Sequence, residues 1–192
     1  DIVVSRPDAG VLEYDFIKQT AKGGEIRKYP QAACAAMSSA MNNLLTDAIA
    51  GKRPWEGWTD RISTALGPSY AYPGEEKDIL HEGVKIIDHP VQADRRVGKP
   101  RIVQGLIGSA DILQKDPTVR DKLRDTYDIR AIEMEASGLQ TAAWTQGRDI
   151  YVIRGICDYC DEHKDDVWQN YAANVSASMA RVVIETMPLA WL

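Results

Sequence analysis

The stretch IRAIEMEASGLQTAAWT (residues 129–145) decides the fold, because its pattern changes from that of a strand to that of a helix within a few residues. Residues 129–132 form a short apolar run typical of a buried strand, and residues 136–145 have a helical composition. The chain repeats this alternation, with further strands predicted at 101–107 and 150–156 and further helices at 116–125 and 167–186. Residues 108–111 are expected to turn the first of these strands into a short helix. The pattern therefore predicts an α/β fold, in which a mostly parallel, twisted central sheet is flanked by helices on both faces.

The first fifty residues fit the same class. Residues 2–4 and 10–17 carry β-branched and aromatic side chains on either side of the turn-like RPDAG, which predicts two strands joined by a hairpin or tight loop. Gly23 and Gly24 are expected to close that unit. A helix is predicted over residues 31–50, because Gly51 and Pro54 follow it as the usual C-terminal punctuation.

Residues 52–100 have a different composition, with tryptophans and prolines among charged residues. Such a mixture predicts short helices and excursions rather than a continuous layer. We therefore interpret the chain as a single domain over residues 1–192, with residues 52–100 as an insertion or lid.

Composition narrows the possible partners. The chain has 192 residues, a net charge of -5 and 44% hydrophobic residues, which suits one globular domain. Its lysines and arginines are scattered, whereas binding to nucleic acid or to an anionic membrane needs a concentrated positive field, so neither partner is expected. No apolar run is long enough for a bilayer, and 3 cysteines are few for a disulfide scaffold, which favours a reducing, cytoplasmic setting.

Polar side chains follow three of the predicted strands: Ser109 and Asp111, then Glu133 and Glu135, then Cys157 and Asp158. In open α/β sheets, ligands bind beyond the carboxyl ends of the strands, so these three ends could converge on one pocket. Carboxylates gathered in a cleft suit the recognition of sugar hydroxyls and proton transfer. The alternative is that the acids stabilise helix N-termini or pair with Arg130 and Arg154.

Several motifs carry a resemblance to a known family. EMEASG (133–138) followed by VIRGICDYCDEHK (152–164) resembles the purine nucleoside phosphorylase and uridine phosphorylase superfamily, which includes methylthioadenosine nucleosidase and fungal nucleosidase-like domains. DIVVS (1–5), GLIGSAD (105–111) and WQNYAA (168–173) occur in the family's order, so the resemblance covers most of the chain outside residues 52–100. The fungal domains are the most similar in HP (89–90), DEHK (161–164) and VWQNYAA (167–173).

The resemblance implies a role for several residues. Met134 is expected to lie against the ribose, while Glu135 accepts hydrogen bonds from its 2′- and 3′-hydroxyls. Glu133 belongs to the same substrate-binding motif but is expected to be mainly structural, paired with Arg154. Asp158 matches the acid that protonates or hydrogen-bonds purine N7, a role for which burial should raise its pKa.

GLIGSAD (105–111) resembles the base-contacting stretch of the family. Leu113 and Gln114 are expected near the purine, and Ser109 and Asp111 are expected to shape that wall. In the family, the phosphate-binding loop and the glutamate that activates water precede the strand that opens this chain. We therefore expect a nucleoside phosphorylase-like fold that lacks its N-terminal strands and belongs to a longer gene product.

The resemblance implies cleavage of the N-glycosidic bond of a purine nucleoside. Hydrolysis by a nucleosidase is favoured over phosphorolysis, in which phosphate would be the co-substrate. An alternative is a nucleoside-sensing or interaction module of a larger receptor. No other cofactor is expected, and homo-oligomers are expected by analogy with the family.

Other chemistry is less well supported by the sequence. Cys157 and Cys160 have CxxC spacing but no second ligand pair, so buried structural thiols are favoured over zinc or redox chemistry. His81, His89 and His163 are too dispersed for a metal triad, and His163 is expected to be solvated. No Gly-rich dinucleotide or phosphate-loop motif occurs.

Overall fold

The computed structural model describes residues 1–21, 23–27 and 29–188, and in these residues the strands and helices alternate largely as predicted. The strands are β1 (Ile2–Ser5), β2 (Val11–Glu13), β3 (Ile17–Thr20), β4 (Gly23–Ile26), β5 (Leu80–Glu82), β6 (Lys85–Ile87), β7 (Ile102–Ser109), β8 (Ile129–Glu133) and β9 (Ile153–Gly155). The helices are α1 (Ala35–Ile49), α2 (Pro54–Leu66), α3 (Pro117–Tyr127), α4 (Ala136–Thr145) and α5 (Gln169–Thr186).

Strand β7 is the centre of a 5-stranded sheet. Its first half pairs in parallel with β1 and its second half pairs in parallel with β2, while β8 lies parallel on its other side. Strand β9 pairs with β1 in the antiparallel direction, with Val3 opposite Arg154. The sheet is thus mostly parallel with helices packed on it, and the predicted α/β fold class is confirmed.

Helices α1 and α5 bury one face of this sheet. Ile2 and Val4 of β1 pack there with Met41 and Met179, all of them fully buried. A second cluster joins Leu106 of β7 to helix α3 through Leu123. Because large side chains fill both places, burial of apolar surface is the main force that holds the helices on the sheet.

The opposite face of β1 carries a smaller cluster made only of strand residues and their immediate extensions. We call it the apolar sheet face, and its members are Val3, Val103, Ile107, Ala131, Val152 and Ile156. Val103, Val152 and Ile156 are only partly buried, so this face offers apolar surface to a ligand or to another segment.

Residues 52–100 form short elements that pack on α5. Helix α2 contacts α5 directly, and the buried Asn174 donates hydrogen bonds to the carbonyls of Thr59 and Tyr70. Strands β5 and β6 make a small antiparallel hairpin further along this segment. Residues 52–100 thus form short elements, as their composition predicts, whereas their assignment as an insertion or lid stays a prediction.

Two local predictions were wrong, and a third was right in part. Strands β1 and β2 do not form a hairpin, because each pairs with a different half of β7, but a tight loop over residues 6–10 joins them. Gly23 and Gly24 belong to strand β4, which pairs with β3, rather than to a closing turn. The chain does not become helical after Ser109; it continues as a loop, in which the Asp111 amide donates to Asp15 Oδ2 at 2.8 Å.

Candidate functional site

Glu133 ends strand β8 and holds the start of helix α4. Its side chain is 4% exposed, and Oε2 accepts hydrogen bonds from the amides of Glu135 and Ala136, both at 2.9 Å. The first amides of a helix have no partner within the helix, so a carboxylate here satisfies them and also favours the helix dipole. Glu133 is thus engaged with backbone, and its expected pairing with Arg154 is wrong, because Arg154 contacts Glu135 instead.

Ser109 joins the ends of β7 and β8. It is fully buried, and its hydroxyl oxygen accepts a hydrogen bond from the Ser137 amide at 3.0 Å. The Ala110 amide donates to the Glu133 carbonyl at 3.2 Å. These two bonds place the EMEASG segment directly beside the end of β7.

Leu113 and Gln114 lie in the loop before α3. Leu113 is 56% exposed, and Gln114 Oε1 accepts a hydrogen bond from the Asp116 amide at 2.9 Å. Asp116 in turn caps α3 by accepting from the Thr118 amide. Gln114 therefore supports the start of a helix, and base contacts for either residue stay a prediction.

Met134 and Glu135 face solvent at the same edge of the sheet. Met134 is 40% exposed, and the Glu135 side chain is 60% exposed with Oε2 at 3.2 Å from Arg154 Nη1. An ionised carboxylate accepts several hydrogen bonds, so Glu135 keeps capacity for a ligand besides Arg154. A polar acceptor next to an accessible thioether suits a sugar, which has both hydroxyls and an apolar ring face.

Asp158 lies in the loop after β9 in a very different environment. Its side chain is 10% exposed, with Lys164 Nζ at 2.8 Å from Oδ2. The Cys160 amide donates to Oδ1 at 2.9 Å and the Cys157 thiol donates to Oδ2 at 3.3 Å. The carboxylate is thus surrounded by donors.

These donors determine the pKa of Asp158. Burial raises it, but the hydrogen bonds from Lys164, from the Cys160 amide and from the Cys157 thiol together outweigh burial and hold the pKa below its ordinary value. The expectation that burial raises the pKa of Asp158 overall is therefore wrong for this structure. The reason is that donors to the charged form outweigh desolvation.

The two thiols beside Asp158 respond in the opposite direction. Burial and the neighbouring carboxylate raise the pKa of Cys157, and they raise the pKa of Cys160 to about 12. Thiols of this kind are poor nucleophiles and poor metal ligands at neutral pH. In the described part of the chain, no group of three or more His, Cys, Asp or Glu side chains is placed to hold a metal ion.

A cavity of about 350 Å³ opens in front of Asp158. One wall is aromatic, with Tyr72 meeting Trp168 and Tyr171 edge to face at centroid distances of 5.5 and 5.6 Å. Charged side chains complete the lining, including Lys77, Asp78, Arg95 and Lys99. The cavity therefore combines aromatic surface with charges of both signs.

The hairpin β5–β6 contacts the loop that carries Asp158. The rings of His81 and His163 stack with centroids 3.7 Å apart, and His163 Nε2 lies 3.1 Å from the Gly83 carbonyl. The Tyr159 hydroxyl donates to Asp78 Oδ1 at 2.6 Å. His163 is thus engaged with the hairpin, and it is also exposed to solvent, as predicted.

The structure brings some of the predicted site residues together and separates others. Because β9 runs antiparallel to β1, its carboxyl end lies beside the start of β1, where the Ile156 amide donates to the Asp1 carbonyl. The carboxyl ends of β7 and β8 lie at the other edge, so the expected convergence of three strand ends is wrong. Of the predicted site residues, all within the described ranges, Asp158 lines the cavity, and the others lie outside its wall: Ser109, Leu113, Gln114, Glu133, Met134 and Glu135.

Two residues connect these separated groups. Arg154 lies on β9 and reaches Glu135, while Ile156 belongs both to the apolar sheet face and to the cavity wall. Asp158 follows Arg154 by four residues, which limits their Cα separation to about 14 Å. Glu135 and Asp158 thus lie toward opposite ends of one sheet face.

Sequence reasoning missed the contact of Lys164 with Asp158 and the contribution of residues 52–100 to the cavity wall. Lys164 stands within DEHK, which carried the family resemblance, but no local pattern indicates that its side chain folds back onto Asp158. Tyr72 and Asp78 lie far from this loop in the chain. Such contacts between distant segments have no signature at a fixed sequence spacing.

Comparison with known proteins supports this fold. The chain matches a 5′-methylthioadenosine/S-adenosylhomocysteine nucleosidase of Neisseria meningitidis with a TM-score of 0.56 and 18% identity, covering 97% of this chain and 62% of that one. A futalosine hydrolase mutant of Helicobacter pylori matches with a TM-score of 0.55 and 13% identity, over 97% and 61% of the two chains. The chain therefore has the fold of the purine nucleoside phosphorylase and uridine phosphorylase superfamily. Within that class, these solved structures are nucleosidases and hydrolases, and the predicted resemblance is confirmed.

The chain also matches several proteins by sequence. The chain is 31% identical over 195 residues to a nucleotide-binding leucine-rich repeat (NLR)-like protein of Hyaloscypha variabilis, in a match that covers 96% of this chain. It is 35% identical over 72 residues, 37% of this chain, to ATP nucleosidase Cap17 of Escherichia coli. The matches span only 19% and 14% of these relatives. No protein-family model matches the chain, and no helix among the described residues is long and apolar enough to cross a bilayer.

Proposed function

We propose that this chain belongs to a nucleosidase that hydrolyses the N-glycosidic bond of a purine nucleoside or nucleotide. The observation that carries the proposal is the contact between Glu135 and Arg154, which links an exposed sugar-type acceptor to the strand leading to Asp158. This contact occurs in a fold shared with nucleosidases. The match to an ATP nucleosidase and to a 5′-methylthioadenosine/S-adenosylhomocysteine nucleosidase of Chromohalobacter salexigens, 28% identical over 95 residues, supports the same reaction class.

In this proposal the ribose lies at the edge of the sheet formed by β7 and β8. Glu135 accepts hydrogen bonds from the 2′- and 3′-hydroxyls, and Met134 contacts the ring. Glu133 and Ser109 act indirectly, because their hydrogen bonds to the amides of α4 hold the segment that carries Glu135. Leu113 and Gln114 are proposed to approach the base from the neighbouring loop.

The nucleoside would then extend along the apolar sheet face toward Asp158. Ile156 and Val152 supply apolar surface on that path. Asp158 hydrogen-bonds or protonates N7 as the bond between C1′ and N9 breaks and its electron pair moves to the purine. Water adds to C1′ and loses a proton, so the products are free base and ribose. General acid assistance of this kind contributes about 10²–10⁴-fold to the rate.

Hydrolysis is proposed ahead of phosphorolysis because the two solved structures compared above are named as a nucleosidase and a hydrolase. Water is then the second substrate, and no cofactor takes part. We propose purine as the base and a homo-oligomer as the assembly, with no role for nucleic acid or a membrane.

The test uses the full-length protein that contains this chain. Adenosine, inosine, guanosine, 5′-methylthioadenosine and ATP are incubated with it, with and without phosphate, and free base is measured. Base release that is independent of phosphate is the expected result. Release that requires phosphate contradicts hydrolysis, and absence of release from every substrate contradicts the proposed reaction.

A second candidate is a nucleotide-sensing module within a larger receptor. The observation that favours it is the match over nearly the whole chain to an NLR-like protein, of which the chain spans 19%. In this case the site would bind nucleotide with little turnover. Saturable nucleotide binding measured by calorimetry, without base release over many hours, distinguishes this candidate from the nucleosidase.

A further inference from the structure

Lys164 makes the closest contact to Asp158 in the cavity wall. Its ammonium nitrogen lies 2.8 Å from Oδ2, and the two side chains are only 24% and 10% exposed. A pair shielded from water to this extent is screened less, and interacts more strongly, than a pair on the surface. We propose that Lys164 is a positioning residue, which fixes the carboxylate of Asp158 and sets the pH range in which Asp158 carries a proton.

The loop geometry holds Lys164 in place. The Lys164 amide donates to the Asp161 carbonyl, and the Asp161 carboxylate accepts from the His163 amide at 3.0 Å. His163 stacks on His81 of the hairpin. The ammonium group is thus presented to Asp158 from a turn that is anchored to residues 80–87 rather than from a free loop end.

Other charged and titratable groups lie around the Lys164–Asp158 pair, and each of them contacts its own partner. The Cys157 thiol contacts Asp158 directly, and Cys160 contributes its amide. From α3, Arg120 donates to the Tyr159 carbonyl, and from β9, Arg154 contacts Glu135. From the insertion, Asp78 receives the Tyr159 hydroxyl and His81 stacks on His163. In the part of the chain that the structure describes, the cation that forms an ion pair with Asp158 is Lys164.

The inference rests on the proposed function, in which Asp158 must carry a proton for the departing purine. Lys164 lowers the pKa of Asp158 against the raising effect of burial. An acid with a lowered pKa is protonated only at lower pH, so kcat/KM should fall as pH rises through that value. Removing the ammonium group leaves the burial effect, so the same fall should occur at higher pH.

The experiment compares Lys164→Met with Lys164→Arg in the full-length protein. Lys164→Met is expected to move the fall in kcat/KM to higher pH, and Lys164→Arg, which keeps the cation, is expected to retain most of the wild-type profile. Lys52→Met is the matched control, because Lys52 pairs with Asp47 at 3.7 Å on the surface with 73% of its side chain exposed. Its profile should coincide with that of the wild type.

A second readout separates this inference from the proposed function. The carboxyl carbon of Asp158 is titrated by NMR with carbon-13 aspartate labelling and assigned with Asp158→Asn. A titration midpoint that moves upward in Lys164→Met supports the role of Lys164, even if no base release occurs and the nucleosidase proposal fails. A midpoint that stays unchanged in Lys164→Met overturns the inference, whatever the activity.

Discussion

The segments after β8 and after β9 both place an acidic side chain beyond a strand, but they hold it in different ways. After β8, Glu133 bonds to amides two and three residues ahead, and Glu135 extends into solvent. After β9, Asp158 is mostly buried and bonds to Lys164 and the Cys157 thiol, while the neighbouring Tyr159 hydroxyl donates to Asp78. The first arrangement depends on local backbone geometry, and the second depends on segments far apart in the chain.

This difference separates two kinds of function. A solvent-facing carboxylate such as that of Glu135 is available as a hydrogen-bond acceptor, which suits binding. A carboxylate shielded from water has a protonation state that depends on its neighbours, which suits proton transfer. The two segments should therefore respond differently to substitution.

The largest effect is expected for Asp158→Asn. The amide cannot deliver a proton, so at acidic pH, where wild-type Asp158 is protonated, kcat should fall by about 10²–10⁴-fold while substrate affinity changes little. Steady-state kinetics and equilibrium binding of the same nucleoside measure the two quantities. Asp125→Asn is the control, because Asp125 is an exposed acid that pairs with Arg124. Equal losses in rate and affinity would contradict the role of Asp158 as an acid.

Gly155→Ala should break the support of the β9 segment. A Cβ at Gly155 would occupy the position of the Ala172 backbone carbonyl on α5, which cannot move without shifting the helix. Overpacking of this kind should lower the free energy of unfolding by about 3 kcal/mol, measured by urea denaturation. At Gly57 in α2 an added Cβ meets no atom within 4 Å, so Gly57→Ala should cost far less. Equal costs would argue against a tight contact between β9 and α5.

Glu133→Ala tests the local support of the β8 segment. The change leaves the amides of Glu135 and Ala136 without their acceptor, at a cost of about 2 kcal/mol in the free energy of unfolding. Glu133→Gln keeps one carbonyl oxygen as an acceptor and should lose less. If urea denaturation finds Glu133→Ala as stable as the wild type, the carboxylate does not support α4.

Glu135→Ala should have the smallest effect, confined to sugar recognition. Loss of a charge-assisted hydrogen bond of about 1.5 kcal/mol should reduce the preference for ribosides over 2′-deoxyribosides about tenfold. The ratio of the two kcat/KM values is the measurement. Glu185→Ala serves as the control, because Glu185 also pairs with an arginine on the surface, Arg181 at 2.7 Å. An unchanged ratio in Glu135→Ala would remove the sugar-binding assignment.

Sequence reasoning located the elements well wherever a local signal exists. Helix α4 begins and ends at the predicted residues, and α3 begins after the capping Asp116, as the acidic residue before Pro117 indicates. Strand pairing was harder to predict. The direction of β9 and the separate pairing of β1 and β2 depend on which strand lies alongside, and period-two patterns are the same for parallel and antiparallel neighbours.

The same division applies to the candidate site. The resemblance carried by EMEASG and RGICDYCD indicated Glu135 and Asp158, whose roles stay predictions. It missed that donors hold Asp158 ionised, because Lys164 approaches through a loop conformation stabilised by His81 and the hairpin. A pKa depends on atoms within a few ångströms, and the chain order does not say which atoms those are.

The amino-acid sequence by itself determined the α/β class, the helices and the acidic strand ends, since propensity, capping and hydrophobic period act over a few residues. Only the tertiary structure decided that β9 is antiparallel, that residues 52–100 form a wall of the Asp158 cavity, and that Arg154 contacts Glu135. The physical reason is the distance along the sequence over which each interaction acts. Hydrogen bonds and ion pairs between distant segments form only after the chain has packed its apolar side chains.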